Sequence, residues 1–154
     1  MARRLRPVDI DFVRSAPVRL VFAREIAAPP ESVFRALAED VSGWTEWFSA
    51  VTLARPTDGG REVRLRGGTR FAETILVAKA PEAYAYRIDE TNTPGARALV
   101  EEWQLTPAGG GTRVQWTFAA DGTPVFRAVL KLARPGFGRA FRDAVTTLDR
   151  RLAR

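Results

Sequence analysis

The sequence contains neither cysteine nor histidine. Without them the chain has no thiol nucleophile, no thiolate or imidazole metal ligand and no histidine general base. Any catalysis would therefore depend on carboxylates, tyrosine, lysine, arginine and backbone dipoles. The sequence predicts no metal site and no cofactor, and it has no disulfide pattern that would indicate secretion.

Long apolar runs are also missing. The N-terminal stretch MARRLRPVDIDFV is basic, but Pro7, Asp9 and Asp11 interrupt it before any apolar run of signal-peptide length. No later stretch is long enough to span a bilayer. We therefore expect a cytoplasmic protein without stable insertion into a membrane.

Lysine is scarce, because Lys79 and Lys131 are the only two, and the net charge of +6 rests almost entirely on arginine. The arginines are scattered along the chain, with no basic run of the kind found in nucleic-acid-binding arms. This pattern indicates solvated surface charge and predicts no nucleic-acid partner. It leaves the oligomeric state open.

The first half of the chain changes its periodicity twice. Residues 17–27 alternate apolar and polar side chains, which predicts a strand with one buried face. Pro29 and Pro30 end that strand and suit the first turn of a short helix, whose apolar stripe reaches Val41. A second short helix is predicted by the spacing of three large aromatic residues, Trp44, Trp47 and Phe48.

From residue 50 the alternation returns and predicts six strands, separated by turns rich in glycine, proline, asparagine and aspartate, at 50–55, 61–67, 69–80, 84–91, 97–108 and 111–120. After Thr123 the spacing of apolar residues predicts a helix that continues to the C-terminus. Pro135 and Gly136 predict a kink or a break in this helix. We expect residues 134–138 to be flexible and to lie beside the mouth of any binding pocket.

This order predicts an α+β fold in which a seven-stranded antiparallel sheet is covered on its apolar face by the long terminal helix. We expect residues 1–16 to form an N-terminal extension and residues 17–154 to form a single domain, since 154 residues suffice for one core.

Three stretches resemble the polyketide cyclase/dehydratase-like family of the START and birch-pollen-allergen (SRPBCC) superfamily. They are IAAPPESVFRALAEDVSGWTEWF, GGTRFAETILVAKAPEAYAYRI and EEWQLTPAGGGTRVQWTF, and the resemblance covers residues 18–152. It implies a helix-grip fold, in which a curved sheet wraps around the C-terminal helix and encloses a cavity for an apolar small molecule.

Alternation supplies the side chains for such a cavity. We expect a cavity of several hundred cubic ångströms. If the more apolar set of each strand points inward, the predicted ligand-binding residues are Phe22, Trp44, Trp47, Phe48, Phe71, Ile75, Tyr84, Tyr86, Leu99, Trp103, Trp116, Phe118, Phe126, Phe137 and Phe141. Val77 and Ile88 share the inward positions. The same aromatic residues would also serve as ordinary core, and composition does not separate the two roles.

The inward set also contains three carboxylates, Glu73, Glu90 and Glu101. A carboxylate on an apolar face is costly unless it is paired. Glu73 and Glu101 are therefore candidates to orient a ligand or to act as an acid/base pair, with Tyr86 as a hydrogen-bond donor. Alternatively, a bulge turns them outward, or they pair with an arginine near the rim of the sheet: Arg24, Arg70 or Arg87.

Three classes of function remain open. The first, which we favour, is non-catalytic binding or carriage of an apolar or aromatic small molecule, such as a polyketide-like ring system, a lipid or an isoprenoid. The second is an aromatase/cyclase or dehydratase that uses the carboxylates, although the lack of histidine weakens it. The third is contact with an acidic protein or a membrane surface through the basic terminal helix.

Overall fold

The computed structural model describes residues 2–154. Its strands are β1 (Arg3–Arg4), β2 (Val18–Ile26), β3 (Val51–Thr57), β4 (Gly60–Leu65), β5 (Arg70–Lys79), β6 (Ala83–Thr91), β7 (Ala96–Ala108) and β8 (Gly111–Gly122). Its helices are α1 (Phe12–Ser15), α2 (Pro30–Ala38), a 3-10 helix (Val41–Glu46), α3 (Pro124–Leu132) and α4 (Arg134–Leu152).

The strands form one antiparallel sheet in the order β2-β8-β7-β6-β5-β4-β3. This arrangement confirms the predicted seven-stranded helix-grip sheet. An eighth strand, β1, lies off this path and pairs with β6. The sequence did not predict it, because two residues are too few to show an alternation.

The short helices after β2 close one end of the sheet. Pro30 occupies the first turn of α2, where its missing N–H leaves no hydrogen bond unmade. The second predicted helix is a 3-10 helix that ends at Glu46, so Trp47 and Phe48 lie just beyond it. Trp44 is fixed there because its indole Nε1 donates to the carbonyl oxygen of Leu37 at 2.9 Å.

The terminal helix is divided into α3 and α4, as its proline and glycine suggested. Thr123 caps α3 by accepting a hydrogen bond from the backbone N–H of Phe126 at 3.2 Å. The interruption falls at Ala133, one residue before the predicted segment, and Pro135 and Gly136 are helical. Proline is tolerated in the first turn of a helix, so Pro135 starts α4 rather than breaking it.

The two faces of the sheet bury different surfaces. The inner face, which packs against α2, α3 and α4, carries the main core. On the outer face, Phe12 and Val13 of α1 pack against small side chains of β7 and β8, among them Ala98 and Ala119. Helix α1 therefore lies across the back of β7 and β8, two of the strands that carry the inner-face aromatics.

Candidate ligand-binding site

A cavity of about 340 Å³ lies between the inner face of the sheet, the 3-10 helix and the α3–α4 region. Most of its wall is apolar, and its few polar side chains include Arg61, Glu73, Tyr86 and Glu101. The volume is at the lower end of the range of small-molecule sites, about 300 to 1,000 Å³.

Most of the side chains predicted to bind ligand lie along this cavity, namely Trp44, Phe48, Phe71, Tyr86, Leu99, Trp116, Phe118, Phe126 and Phe137. They come from the sheet, the region of the 3-10 helix and both terminal helices. Their contact with a ligand stays a prediction.

The other predicted residues do not line the cavity: Phe22, Trp47, Ile75, Tyr84, Trp103 and Phe141. Trp103 is fully buried, with its ring centroid 5.6 Å from that of Trp44 and 5.5 Å from that of Trp116. Alternation identifies the inner face, but it does not separate side chains that fill space from side chains that border it. The three tryptophans thus form a contiguous row, and the cavity lies beside this row.

Glu73 is buried on the inner face, as alternation predicted, but its partner is Arg61 rather than a rim arginine. Arg61 and Glu73 lie directly opposite each other on β4 and β5, and Nε of Arg61 donates a short hydrogen bond to Oε1 of Glu73. The guanidinium carbon lies 4.2 Å from the ring centroid of Trp44 and 4.1 Å from that of Tyr86. The cation is thus held between two aromatic faces.

Sequence reasoning missed Arg61, although a signal was present. Arg61 alternates with Val63 and Leu65, so the argument that placed Glu73 inside also places Arg61 inside. Its charge favoured a surface position, and only the pairing of β4 with β5 shows that a carboxylate lies opposite.

Glu101 is the second buried carboxylate of the cavity wall. Its Oε1 accepts two hydrogen bonds, from the hydroxyl of Tyr86 at 2.7 Å and from Nε1 of Trp116 at 3.0 Å. The Tyr86 oxygen in turn accepts from Nε1 of Trp103 at 3.2 Å. Glu101, Tyr86 and the two indoles therefore form one connected polar network in an apolar wall.

Burial controls the ionisation of these groups. Burial raises the pKa of Glu73 to about 7, because the loss of solvation outweighs the attraction of Arg61, and the charge of Glu101 adds to the rise. The pKa of Glu101 is also raised by burial, against the hydrogen bond from Tyr86. Tyr86 keeps its proton, since burial and the neighbouring Glu101 raise its pKa well above 10. For Arg61, burial alone would lower the pKa, but Glu73 and the two tyrosines reverse this effect and the net pKa is raised.

Two register irregularities between β5 and β6 show that the predicted inward positions of Glu90 and Val77 are wrong. Between β5 and β6, Ala72 pairs with Glu90 but Glu73 pairs with Ile88, so Asp89 is an additional residue. It turns Glu90 to the solvent side of the sheet, where the residue is exposed. A second irregularity, between Ile75 and Val77, places Val77 opposite Ala85, away from the inner face.

The rim arginines take other roles. Arg24 is exposed, and Arg87 forms an ion pair with Asp89, with an N–O distance of 2.7 Å. Within residues 2–154 no cluster of three or more acidic side chains is arranged to hold a metal ion. None of the helices in the same range combines the length and the apolarity needed to cross a membrane.

The curved antiparallel sheet, the C-terminal helices that it grips and the apolar cavity between them define a helix-grip fold. The chain belongs to the family described as polyketide cyclase/dehydrase and lipid transport, whose model matches residues 17–153.

The chain is also similar to known proteins and to solved structures. A protein of Mycobacterium tuberculosis described as uncharacterised is 28% identical over 150 residues, which cover 93% of this chain and 89% of the relative. A conserved protein from Geobacillus kaustophilus superimposes with a TM-score of 0.72 at 14% identity, over 88% of this chain and 95% of that one. A START superfamily protein from Mycobacterium smegmatis gives a TM-score of 0.60 at 12% identity, over 81% and 96%. At these identities the two structures show a shared fold only.

Proposed function

We propose that this protein binds an apolar or aromatic small molecule in the cavity and carries it without transforming it. The observation that supports binding is the apolar space of about 340 Å³, bordered by aromatic rings from the sheet and the helices. Carriage is favoured over catalysis because both carboxylates of the wall are engaged by the protein itself. Glu73 is held by Arg61, and Glu101 is held by Tyr86 and Trp116.

Native mass spectrometry of protein purified from its own host tests this proposal. We expect an additional mass that denaturation releases. The matched variant is Leu99→Phe, because Leu99 is fully buried at the cavity wall and a larger side chain there occupies ligand space. The variant should lose the additional mass while it keeps its circular dichroism spectrum. Absence of any bound mass, together with no binding of apolar probes such as fluorene, would contradict the proposal.

An aromatase/cyclase or dehydratase is the alternative, and the ionisation of Glu73 is the observation that favours it. A carboxyl group whose pKa is about 7 at the wall of an apolar cavity is suited to proton transfer near neutral pH. Turnover of a poly-β-ketone analogue separates the two functions. A carrier leaves the analogue unchanged, whereas an enzyme consumes it and loses turnover, but not affinity, on Glu73→Gln or Glu101→Gln.

A second candidate function, compatible with carriage, is contact with an anionic membrane surface through α3. Three apolar side chains of this helix are strongly exposed: Val125 at 73%, Val129 at 56% and Leu132 at 82%. They lie on one stripe, whereas Phe126 and Leu130 of the same helix line the cavity.

The charges around this stripe are of one sign. Lys131, Arg134 and Arg139 are exposed, and no acidic residue occurs between Gly122 and Arg142. Apolar side chains flanked by basic residues are typical of surfaces that bind anionic lipids, where each basic residue contributes about 1 kcal/mol.

Co-sedimentation with vesicles tests this surface. We expect binding to vesicles of phosphatidylcholine with phosphatidylserine and little binding to phosphatidylcholine alone. Replacement of Val125, Val129 and Leu132 by serine should abolish it, whereas serine at the exposed Thr52, Thr57 and Thr106 leaves the net charge unchanged and, as the control, should keep it. Equal binding by both triple variants would contradict a role for α3, and an acidic protein partner would then be the remaining occupant.

A further inference from the structure

A second, polar groove lies on the surface between β2 and α4. Its volume is about 450 Å³, and it is lined by Arg24, Arg142, Asp143, Thr146, Thr147 and Arg150. These residues do not overlap with those that line the apolar cavity. Because every lining side chain is polar, the groove suits a ligand whose chemistry differs from that of the cavity ligand.

The alternation of β2 brings Arg24 to this groove. Arg24 lies between Phe22 and Ile26 on the face of the strand that packs against α4. Its side chain is exposed there, since β2 is an edge strand of the sheet. On α4, Arg142 and Arg150 are exposed and two helical turns apart, so both border the same groove.

A glycine of α4 leaves space for one of these arginines. A Cβ at Gly138 would lie 3.2 Å from the ring of Phe22 and 3.4 Å from Nη1 of Arg142. The guanidinium of Arg142 therefore lies back along the helix, beside the aromatic residue that precedes Arg24 on the inner face of β2. The two arginines thus approach the groove from opposite sides.

The arginines of the groove lack a matching number of acidic partners. The ion pairs within residues 2–154 do not include Arg24, Arg142 or Arg150. Asp143 supplies one carboxylate. The carboxylate of Asp149 accepts instead from two backbone N–H groups of the loop after β2, at 3.1 and 3.0 Å. Three cations face one anion, which leaves two positive charges in excess.

A phosphate monoester matches these charges. It carries about two negative charges near neutral pH and has three strong acceptor oxygens. Guanidinium groups bind phosphate oxygens through paired hydrogen bonds, and the hydroxyls of Thr146 and Thr147 supply further donors. A single carboxylate would leave one of the excess charges unmatched.

We propose that the groove between β2 and α4 binds the phosphate group of a phosphate monoester, through Arg24, Arg142 and Arg150. This site is independent of the apolar cavity and of its ligand. The same phosphate chemistry occurs in soluble phosphate esters and in the headgroup of phosphatidic acid, so the experiment must separate these two sources.

The first measurement is a titration of the isotope-labelled protein with glycerol 3-phosphate, followed through the backbone amide resonances by NMR. Low ionic strength is used, because salt screens charges at the surface. This probe is too polar for the apolar cavity, and glycerol is its uncharged reference. We expect saturable shifts confined to the surroundings of Arg24 and to residues 142–150, and none with glycerol.

Substitutions of opposite sign show whether the groove is responsible. Arg24→Gln should raise the dissociation constant about 3- to 10-fold, and Asp143→Asn, which removes the opposing charge, should lower it about 2- to 5-fold. The matched controls are Arg97→Gln and Asp58→Asn. They make the same changes in net charge at exposed positions outside the groove and should leave the dissociation constant nearly unchanged.

Co-sedimentation with vesicles of phosphatidylcholine and phosphatidic acid identifies the source of the phosphate. Both outcomes of this comparison support the site. A loss of vesicle binding as well as glycerol 3-phosphate binding on Arg24→Gln indicates the lipid headgroup, and a loss of glycerol 3-phosphate binding alone indicates a soluble ester. The proposal is overturned if the groove shows no saturable shift, if the shifts spread over exposed arginines elsewhere, or if Arg24→Gln and Arg97→Gln have equal effects.

Discussion

The burial of Glu73 predicts an unusual dependence of stability on pH. Its pKa in the folded protein is about 7, against an ordinary value of 4.5. Between these two values the folded state binds more protons at this position than the unfolded state does. The free energy of unfolding contributed by Glu73 therefore falls as the pH rises through this window, and it levels off above about pH 7.

The size of this loss follows from the shift. Each pKa unit corresponds to about 1.4 kcal/mol, so the raised pKa of Glu73 predicts a loss of about 3 kcal/mol across the window. Glu73→Gln cannot titrate and should lose none of this contribution. Arg61→Met removes the cation that opposes the rise, so the pKa of Glu73 should increase further. The loss should then continue above pH 7 at about 1.4 kcal/mol per pH unit.

Urea denaturation at several pH values from about 4.5 to 9, followed by tryptophan fluorescence, measures these differences. The control is Glu62→Gln on the same strand as Arg61, because Glu62 is only partly buried and the hydrogen bond from Arg55 lowers its pKa. A constant difference between the unaltered protein and Glu73→Gln across the whole range would refute the burial argument.

The remaining predictions concern Gly60, the cap of α3 and the start of α4. Gly60→Ala places a Cβ 1.7 Å from the carbonyl oxygen of Glu73, so β4 must shift; we expect a loss of about 1 to 3 kcal/mol in urea denaturation, and an unchanged midpoint would contradict this contact. Thr123→Ala removes the cap of α3, so it should lower the free energy of unfolding by about 1 kcal/mol and speed the dissociation of fluorene. Thr52→Ala, on the exposed side of β3, is the control and should show neither effect. Gly136→Ala, whose added Cβ meets open space, should stiffen the start of α4 and slow the association of fluorene in stopped-flow measurements, and unchanged kinetics would contradict a gate at this point.

The sheet was predictable because one of its faces is buried against helices. Strands with one apolar face must alternate, and the turns between them have distinctive residues, so the sequence alone indicated seven strands and their antiparallel pairing. Glu73 and Glu101 were placed on the inner face by the same alternation, and both are buried there.

Features that depend on pairing between strands were not predictable in this way. The bulge that turns Glu90 outward is a property of β5 and β6 together, and neither strand shows it alone. The ion pair of Arg61 with Glu73 likewise requires the register of β4 on β5. Which aromatic rings fill space and which border the cavity depends on packing in three dimensions, and for this reason Trp103 and Phe141 were placed at the cavity although they lie behind it.

Part of the N-terminal segment covers the outer face of the sheet. Similarity to the family begins at residue 17, but Leu5, Phe12 and Val13 are buried, and the last two cover the backs of β7 and β8. A chain cut at residue 17 would expose Ala98, Val100 and Ala119 to water as one continuous apolar surface on the reverse of the strands that carry Glu101 and Trp116. Surfaces of this kind promote association between molecules. The family match, which starts at residue 17, thus leaves out a segment that covers the outer face of β7 and β8.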